Sequence, residues 1–356
     1  MIAYLIFMAS PFIVYLIVEL ITGKKVTQDD RTKNIYLIVC GIIIALMIGM
    51  RNQHNGSSDT ATYCSLYEKM SSIKPGELSS FIRNTDMEIG YLITTWLFSK
   101  IFVGGQWLLV FSGAFFSVSI CHFVKNNCKN VVLALAVFNC LGLFNFMVQG
   151  LRQAIAMCIC LWAFELCKKR KLIGFLLVVI LAAFFHASAI VFGMVYILGC
   201  MRLDMRSLIW MGMGTCIVLA LLPQLFSLMN FVMNDDYNTT SGSDVGGWVA
   251  ILIYVCIFAF GLIFRDSDDK NYPTYMFMLV AGGLCMVFRQ SVNGILERIG
   301  FYFSFSQMAV ISNAVYGMKD KQIRAMVSMV VVVLCLGVAL HKASYSTLVP
   351  YRFFWN

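Results

Sequence analysis

Long apolar runs recur along this chain, and they constrain its fold more than any other feature. Of the 356 residues, 60% are hydrophobic and 13% are charged, whereas about 25% of a soluble domain is charged. Runs of roughly 15–25 apolar residues can cross a bilayer as helices. We therefore predict an all-α, polytopic integral membrane protein with a single transmembrane domain, residues 1–356. About twelve spans are predicted, at 2–22, 35–50, 107–124, 131–150, 151–167, 172–185, 187–201, 207–233, 248–264, 273–290, 299–317 and 325–342.

Basic residues in short loops predict the orientation of these spans. Six loop clusters hold 17 of the 27 Lys and Arg residues, and cytoplasmic loops carry such an excess. The net charge of +9 therefore indicates membrane topology. Nucleic-acid binding is excluded as a function class because no basic face or stacking platform accompanies the charge. Both termini and two outer loops, 51–106 and 234–247, are predicted outside.

Segment 87–103 is apolar enough to suggest a further span. Counting it as a span would place the Lys168–Lys171 cluster outside, so we interpret it as an interfacial or re-entrant helix. Trp96 and Lys100 suit a helix that lies in the membrane interface.

Ionisable residues gather at the predicted outer ends of the spans. A charged side chain at bilayer depth costs about 2.5–3.5 kcal/mol on insertion scales, so several are kept only where they face one another or a wet cavity. This pattern predicts a polar site on one membrane face. Its candidate members are Arg51, Asp59, Glu88, Arg152, His186, Arg289, Glu297 and Arg298.

The first group of candidates follows the second predicted span. Asp59, Thr60 and Tyr63 come after a Gly-Ser-Ser turn, and Asp59 can simply cap a helix beside an interfacial tyrosine. Alternatively, Arg51 binds a phosphate and Asp59 takes a proton from an attacking hydroxyl.

Two further candidates sit between apolar helices. Arg152, followed by Gln153, either snorkels to lipid headgroups or forks onto phosphate oxygens. His186 either hydrogen-bonds to Ser188 or a nearby carbonyl, or acts as a proton acceptor near neutral pH.

The last group precedes the 299–317 run. Glu297 and Arg298 are adjacent and point in different directions from a helix, whereas Tyr302 shares a face with Arg298. The group is either an interfacial cap or a phosphate-binding corner, together with Arg289. No metal-ligand spacing is present, so we expect no metal.

These residues, in this order, resemble the EpsG family, Wzy-like proteins of exopolysaccharide and O-antigen synthesis. The resemblance extends over most of the chain. The motifs are Arg51 with Gly56-x-x-Asp59-Thr60-x-x-Tyr63, Glu88-x-Gly90-Tyr91, Arg152-Gln153-x-Ile155-Ala156, His186-x-Ser188-Ala189, Glu297-Arg298-x-x-x-Tyr302 and Pro350-Tyr351.

The resemblance implies a bacterial plasma-membrane glycosyltransferase that polymerises undecaprenyl-diphosphate-linked oligosaccharide repeat units at the outer face, in O-antigen (lipopolysaccharide), capsule or exopolysaccharide synthesis. A GT-C-like fold and partners such as a flippase and a chain-length regulator are expected from it. A flippase or transporter of lipid-linked oligosaccharide is the main alternative. A membrane acyltransferase is a weaker one.

Under this interpretation the catalytic candidates are Asp59, the first choice as base, His186, the second choice, and Glu88. Either Glu88 or Glu297 orients the acceptor sugar. The diphosphate is assigned to Arg51, Arg152, Arg289 and Arg298, with no cofactor and no metal. The sugar is assigned to Thr60, Tyr63, Gln153, Glu297 and Tyr302.

Overall fold

The protein is described by a computed structural model that covers residues 2–55, 58–214, 245–292, 294–344, 346 and 348–355. Side chains at 58, 245–247, 289–292 and 294–295 are outside this description. The described part is helical and has no β-strand beyond one isolated bridge, which confirms the all-α prediction there. Its α-helices are α1 (Ile2–Thr22), α2 (Asp30–Gly49), α3 (Ser58–Ser72), α4 (Pro75–Arg83), α5 (Ile89–Ile101), α6 (Gln106–Asn127), α7 (Val131–Cys140), α8 (Leu143–Gln149), α9 (Leu151–Lys168), α10 (Leu172–Ala183), α11 (Val195–Leu198), α12 (Val245–Ile263), α13 (Tyr272–Val292), α14 (Gly294–Phe301), α15 (Ser306–Tyr316) and α16 (Lys321–Ala343).

Two other helical stretches complete the described chain. A 3₁₀ helix, Ala187–Met194, links α10 to α11, and residues 205–214 are helical up to the edge of the described part. The predicted span 207–233 and the outer loop 234–247 therefore lie largely outside the described residues.

Four described helices are long and apolar enough to cross a membrane: α1, α2, α6 and α16. The pair α7 and α8 forms a fifth candidate, bent by 53° at a break where Gly142 has φ +104°. Shorter apolar helices of 10–17 residues accompany them. The chain is thus a multi-pass membrane protein, while the count of twelve and the GT-C likeness remain predictions.

The core of the described part includes the buried helices α7 and α15 and the close contact between α2 and α6. Every residue of α7 is buried, and so are all residues of α15 except its last. At Gly113 an added Cβ would lie 2.7 Å from the Ala45 carbonyl oxygen, so glycine lets α6 approach α2 closely. In contrast, α16 exposes a row of large apolar side chains, as expected for a lipid-facing helix.

Two predicted segments differ in detail from the structure. The 299–317 run is divided between α14 and α15, with turns at 302–305. Segment 87–103 contains the 13-residue helix α5, which is too short to cross a bilayer alone. Lys100 donates from Nζ to the carbonyls of Ser71 and Ile73, so α5 lies against the end of α3.

Hydrogen bonds define two ends of the bundle. At the site end, Gln106 at the start of α6 bonds the Arg51 carbonyl, and Arg51 bonds the end of α8. At the far end, Asn127 at the close of α6 bonds Glu165 near the close of α9. Because α6 has 22 residues, it separates these ends by about 33 Å at 1.5 Å per residue.

Candidate functional site

Glu88 lies at the centre of the candidate site. It is the N-cap residue of α5 with an extended backbone, and its side chain makes no capping hydrogen bond. Instead, Oε1 accepts from Nδ1 of His186 at 2.8 Å and from the N–H of Ala187 at 3.2 Å. Oε2 pairs with Nη1 of Arg152. One carboxylate therefore joins the residues that the sequence predicted at three separate helix ends.

The close approach of two backbones brings Glu88 to His186. The N–H of Gly90 donates to the Phe184 carbonyl oxygen at 2.9 Å. A Cβ at position 90 would lie 2.7 Å from that oxygen, inside the contact distance. Only glycine fits this crossing without displacement of the chain, and α10 ends there because the backbone turns into the 3₁₀ helix.

Arg152 is held from two directions and keeps one donor group. It is the second residue of α9, its Nε donates to the Tyr63 hydroxyl at 3.2 Å, and its guanidinium lies 5.5 Å from the Tyr63 ring centroid. Nη2 has no hydrogen-bond partner among the described residues, and the side chain is 21% exposed. A guanidinium fixed in this way can offer Nη2 to an anionic ligand.

His186 likewise uses only one of its two ring nitrogens within the protein. Nδ1 faces the Glu88 carboxylate, while Nε2 has no partner in the described part of the chain. A carboxylate that accepts from Nδ1–H leaves the Nε2 lone pair available, which is the arrangement of an oriented base.

Opposing effects set the pKa of Glu88. Burial raises it, but the hydrogen bond from His186 and the charge of Arg152 outweigh burial and lower the pKa to about 2. Glu88 is therefore ionised at neutral pH, so it holds the other two groups as an acceptor and has no proton to give.

The other predicted residues occupy distinct places. Asp59 is exposed in the first turn of α3, one turn before Tyr63. Gln153 is buried, and its amide donates to the Arg298 carbonyl, so α14 is joined to α9 beside Arg152. The side chain of Arg298 is exposed and that of Glu297 is half-buried. The side chain of Arg289 lies outside the described residues.

Tyr302 supports the site from behind. Its hydroxyl accepts from Ser188 at 3.1 Å, and its side chain is 1% exposed. Ser188 lies two residues after His186, so this bond steadies the start of the 3₁₀ helix. The assignment of Tyr302 to the sugar stays a prediction.

Arg51 lies away from any exposed surface. Its side chain is 0% exposed, and its guanidinium donates to the carbonyls of Asn55 and Val148 at 2.7 and 2.8 Å. Nη2 also reaches Thr60 Oγ1 at 3.3 Å, and Thr60 is equally buried. The structure therefore gives both residues contacts within the protein, and their assignment to the diphosphate and the sugar stays a prediction.

Sequence reasoning missed several contributors to the site. The N–H of Ala187 had no signal in the sequence. Tyr91, whose buried ring packs edge-on against Tyr63 at 5.8 Å, appeared only as part of the Glu88-x-Gly90-Tyr91 motif and was given no role. In the described residues no group of three or more His, Cys, Asp or Glu side chains is placed to hold a metal ion.

A family model describes nearly the whole chain. The model of the EpsG family matches residues 33–353. The chain is a member of the EpsG family. Membership connects this membrane protein to exopolysaccharide synthesis. No curated protein and no solved structure matches the chain.

Proposed function

We propose that this EpsG-family protein is a glycosyltransferase that polymerises undecaprenyl-diphosphate-linked repeat units at the outer face of the bacterial plasma membrane. The observation that carries the proposal is the Glu88 carboxylate shared by Arg152 and His186. This arrangement leaves Nη2 of Arg152 as a donor group and Nε2 of His186 as an acceptor, on two side chains that share the Glu88 carboxylate and are each about one-fifth exposed.

The proposed reaction uses these two groups in one displacement. The acceptor hydroxyl donates a hydrogen bond to His186 Nε2, and its oxygen attacks the anomeric carbon of the donor sugar. The hydroxyl proton passes to Nε2 as the new C–O bond forms. The bond between the anomeric carbon and the phosphate oxygen breaks, and undecaprenyl diphosphate leaves with the electron pair, stabilised by Nη2 of Arg152.

The geometry changes the ranking of the candidate bases. Asp59 is exposed on α3, whereas His186 is oriented by a carboxylate. We therefore propose His186 as the base, Glu88 as the residue that orients it, and Arg152 as the first diphosphate ligand. Arg298 is a second diphosphate candidate, because its carbonyl is bonded to Gln153 beside Arg152.

The far end of the bundle favours polymerisation over flipping. Asn127 of α6 bonds to Glu165 and Lys168 of α9, Tyr275 of α13 and Asn313 of α15. A transporter must open its polar pathway to both membrane faces. This four-helix network instead joins the helices at the face opposite the site.

The test is the length of surface polysaccharide on a gel, in a deletion strain that carries wild-type protein, Arg152→Ala, His186→Ala or Asp59→Asn. Membrane abundance of each variant is measured in parallel. We expect a ladder with wild type, single units with Arg152→Ala and His186→Ala, and a retained ladder with Asp59→Asn. Accumulation of single units on the inner leaflet would instead identify a flippase and overturn the proposal.

A further inference from the structure

The end of the chain returns to the site end of the bundle and pairs with the segment after α2. The Asn52 N–H donates to the Arg352 carbonyl, and the Phe354 N–H donates to the Met50 carbonyl, both at 2.9 Å. These bonds form an antiparallel bridge between Arg51 and Phe353. The tail is thus bonded by its backbone to Met50 and Asn52, the two residues that flank Arg51.

Side chains strengthen the same attachment. Asn55 donates from Nδ2 to the Pro350 carbonyl at 2.9 Å, and the Tyr351 hydroxyl donates to the Met47 carbonyl at 2.8 Å. Leu348, where the tail begins, is 1% exposed. The attachment therefore spans the whole tail, which we define as residues 348–355.

Arg51 beneath the tail is an unusual buried cation. Burial lowers its pKa to about 10, so it remains charged at neutral pH. Nη1 and Nη2 donate to two carbonyls and a hydroxyl, whereas the buried Nε has no hydrogen-bond partner among the described residues. An isolated charge taken out of water is costly unless its donors are satisfied. The contacts of this one guanidinium must therefore be held in place by the surrounding chain, and the tail is the segment paired to its backbone.

The acceptors of Arg51 lie immediately beside the site. Val148 is in the last turn of α8, where carbonyls lack partners within the helix, and Arg152 follows it by four residues through the single linker Gly150. Thr60 lies three residues before Tyr63 on α3, so the two share a helix face. Tyr63 in turn accepts from Arg152 at 3.2 Å.

We propose that the tail and Arg51 together position Arg152 for diphosphate binding. Arg51 fixes the start of α9 through Val148 and the position of the Tyr63 hydroxyl through Thr60, while the tail fixes Arg51. Neither the tail nor Arg51 contacts the substrate. The inference rests on the proposed function, because it assigns these residues to the positioning of its diphosphate ligand.

The test removes a single backbone hydrogen bond from the tail. Phe354→Pro abolishes the N–H that bonds the Met50 carbonyl. Phe354→Ala keeps that N–H and removes the same side chain, which is 47% exposed, so it is the matched control. Residue 353 forms the antiparallel bridge to Arg51, and an extended conformation is the one that a residue before proline favours.

The first measurement is amide hydrogen exchange on the full-length protein in nanodiscs. With Phe354→Pro we expect faster exchange at 58–66 and 146–154, and unchanged exchange in α15. Phe354→Ala should match wild type. Exchange at 58–66 and 146–154 that equals wild type in Phe354→Pro overturns the inference.

The second measurement is a double-mutant cycle with farnesyl diphosphate as the probe, by isothermal titration calorimetry. Arg152→Ala should weaken binding about tenfold and Phe354→Pro about fivefold, on the scale where each 1.4 kcal/mol is tenfold. The double variant should bind like Arg152→Ala alone, because the tail acts through Arg152. If the fold-losses in affinity of the two single variants multiply in the double variant, the tail acts independently of Arg152 and the inference is overturned.

A failure of the proposed function has a different signature. If Arg152→Ala binds farnesyl diphosphate as wild type does, Arg152 is not a diphosphate ligand and the proposed function is wrong. The positioning role toward that ligand is then overturned with it, even if hydrogen exchange still links the tail to residues 146–154.

Discussion

The N–H of Gly90 donates to the carbonyl oxygen of Phe184 at 2.9 Å, at the point where α5 begins and α10 ends. This contact decides whether Glu88 can reach His186, because both side chains leave the backbone within two residues of it. Helix α5 lies in the segment before α6, and α10 comes from the apolar bundle. One backbone crossing therefore joins the two parts of the chain that form the site.

Gly90→Ala should disrupt the site. Its Cβ would lie 2.7 Å from the Phe184 carbonyl oxygen and 2.8 Å from the Phe184 Cβ, and overpacking of this kind costs about 1–3 kcal/mol. We expect loss of polymer and a lower melting temperature. The control is Gly76→Ala in α4, where an added Cβ meets nothing within 4 Å. Polymer of wild-type length from Gly90→Ala would contradict the claim that the Gly90–Phe184 contact is required for the site.

Glu88→Gln should change how stability depends on pH. Burial raises the pKa of Glu88, but His186 and Arg152 lower it overall from an ordinary 4.5 to about 2. A lowered pKa means that the carboxylate stabilises the fold fully above about pH 4.5 and loses this effect as the pH falls toward 2.

The measurement is the melting temperature of wild type and Glu88→Gln in nanodiscs between pH 7 and pH 3. The variant should melt lower at pH 7, and the difference should be constant to about pH 5 and then shrink. Asp86→Asn, an exposed carboxylate two residues earlier, should show no such gap. A gap that stays constant down to pH 3 would refute the lowered pKa.

Arg152→Lys should not preserve activity. Arg152 uses Nε for Tyr63 and Nη1 for Glu88 and keeps Nη2 for a ligand, and one ammonium group cannot reproduce that fork. We expect kcat/KM to fall by about tenfold or more, since charged hydrogen bonds contribute about 1.5–3 kcal/mol. Arg83→Lys, at an exposed position of α4, is the control. If Arg152→Lys is as active as Arg83→Lys, the guanidinium of Arg152 is not needed for the reaction.

Asn313→Ala should destabilise the far end and leave the chemistry intact. Asn313 donates to the Asn127 carbonyl and to Asp269, each at 3.0 Å, and accepts from the Lys129 N–H at 2.8 Å. Unsatisfied buried partners cost about 1–3 kcal/mol. The melting temperature should fall while kcat per folded molecule stays at the wild-type value.

The exposed Asn126→Ala variant, at the same end of α6, should be near neutral in this comparison. A large fall in kcat with Asn313→Ala and an unchanged melting temperature would mean that the far end takes part in turnover, as a transport cycle requires.

The sequence predicted which residues lie at one end of the bundle but not which of them touch. Glu88 and His186 are 98 positions apart. Their contact depends on the close approach of Gly90 to Phe184, which no local sequence pattern predicts. The break between α14 and α15 was missed as well, because the 299–317 run is apolar and shows no proline or glycine between 301 and 316.

Two arginines at the site end of the bundle show the limit most clearly. Arg51 and Arg152 both follow glycine-containing ends of apolar runs, so composition and spacing predict the same role for both. They differ because Arg51 is fully buried and the tail, some 300 residues further on, pairs with the segment around it, whereas Arg152 is about one-fifth exposed. The sequence drew attention to the tail through the Pro350-Tyr351 motif, but its pairing with the segment around Arg51 is a tertiary property that no local pattern predicts.

The most direct test of the account is polymerisation by the purified protein alone. Wild type and Glu88→Gln are placed in proteoliposomes with undecaprenyl-diphosphate-linked repeat units extracted from the deletion strain. Polymer length and released undecaprenyl diphosphate are then measured together. We predict a ladder and one released undecaprenyl diphosphate per new linkage with wild type, and a strongly reduced amount of both with Glu88→Gln. Repeat units that cross between leaflets without any new linkage would contradict the account.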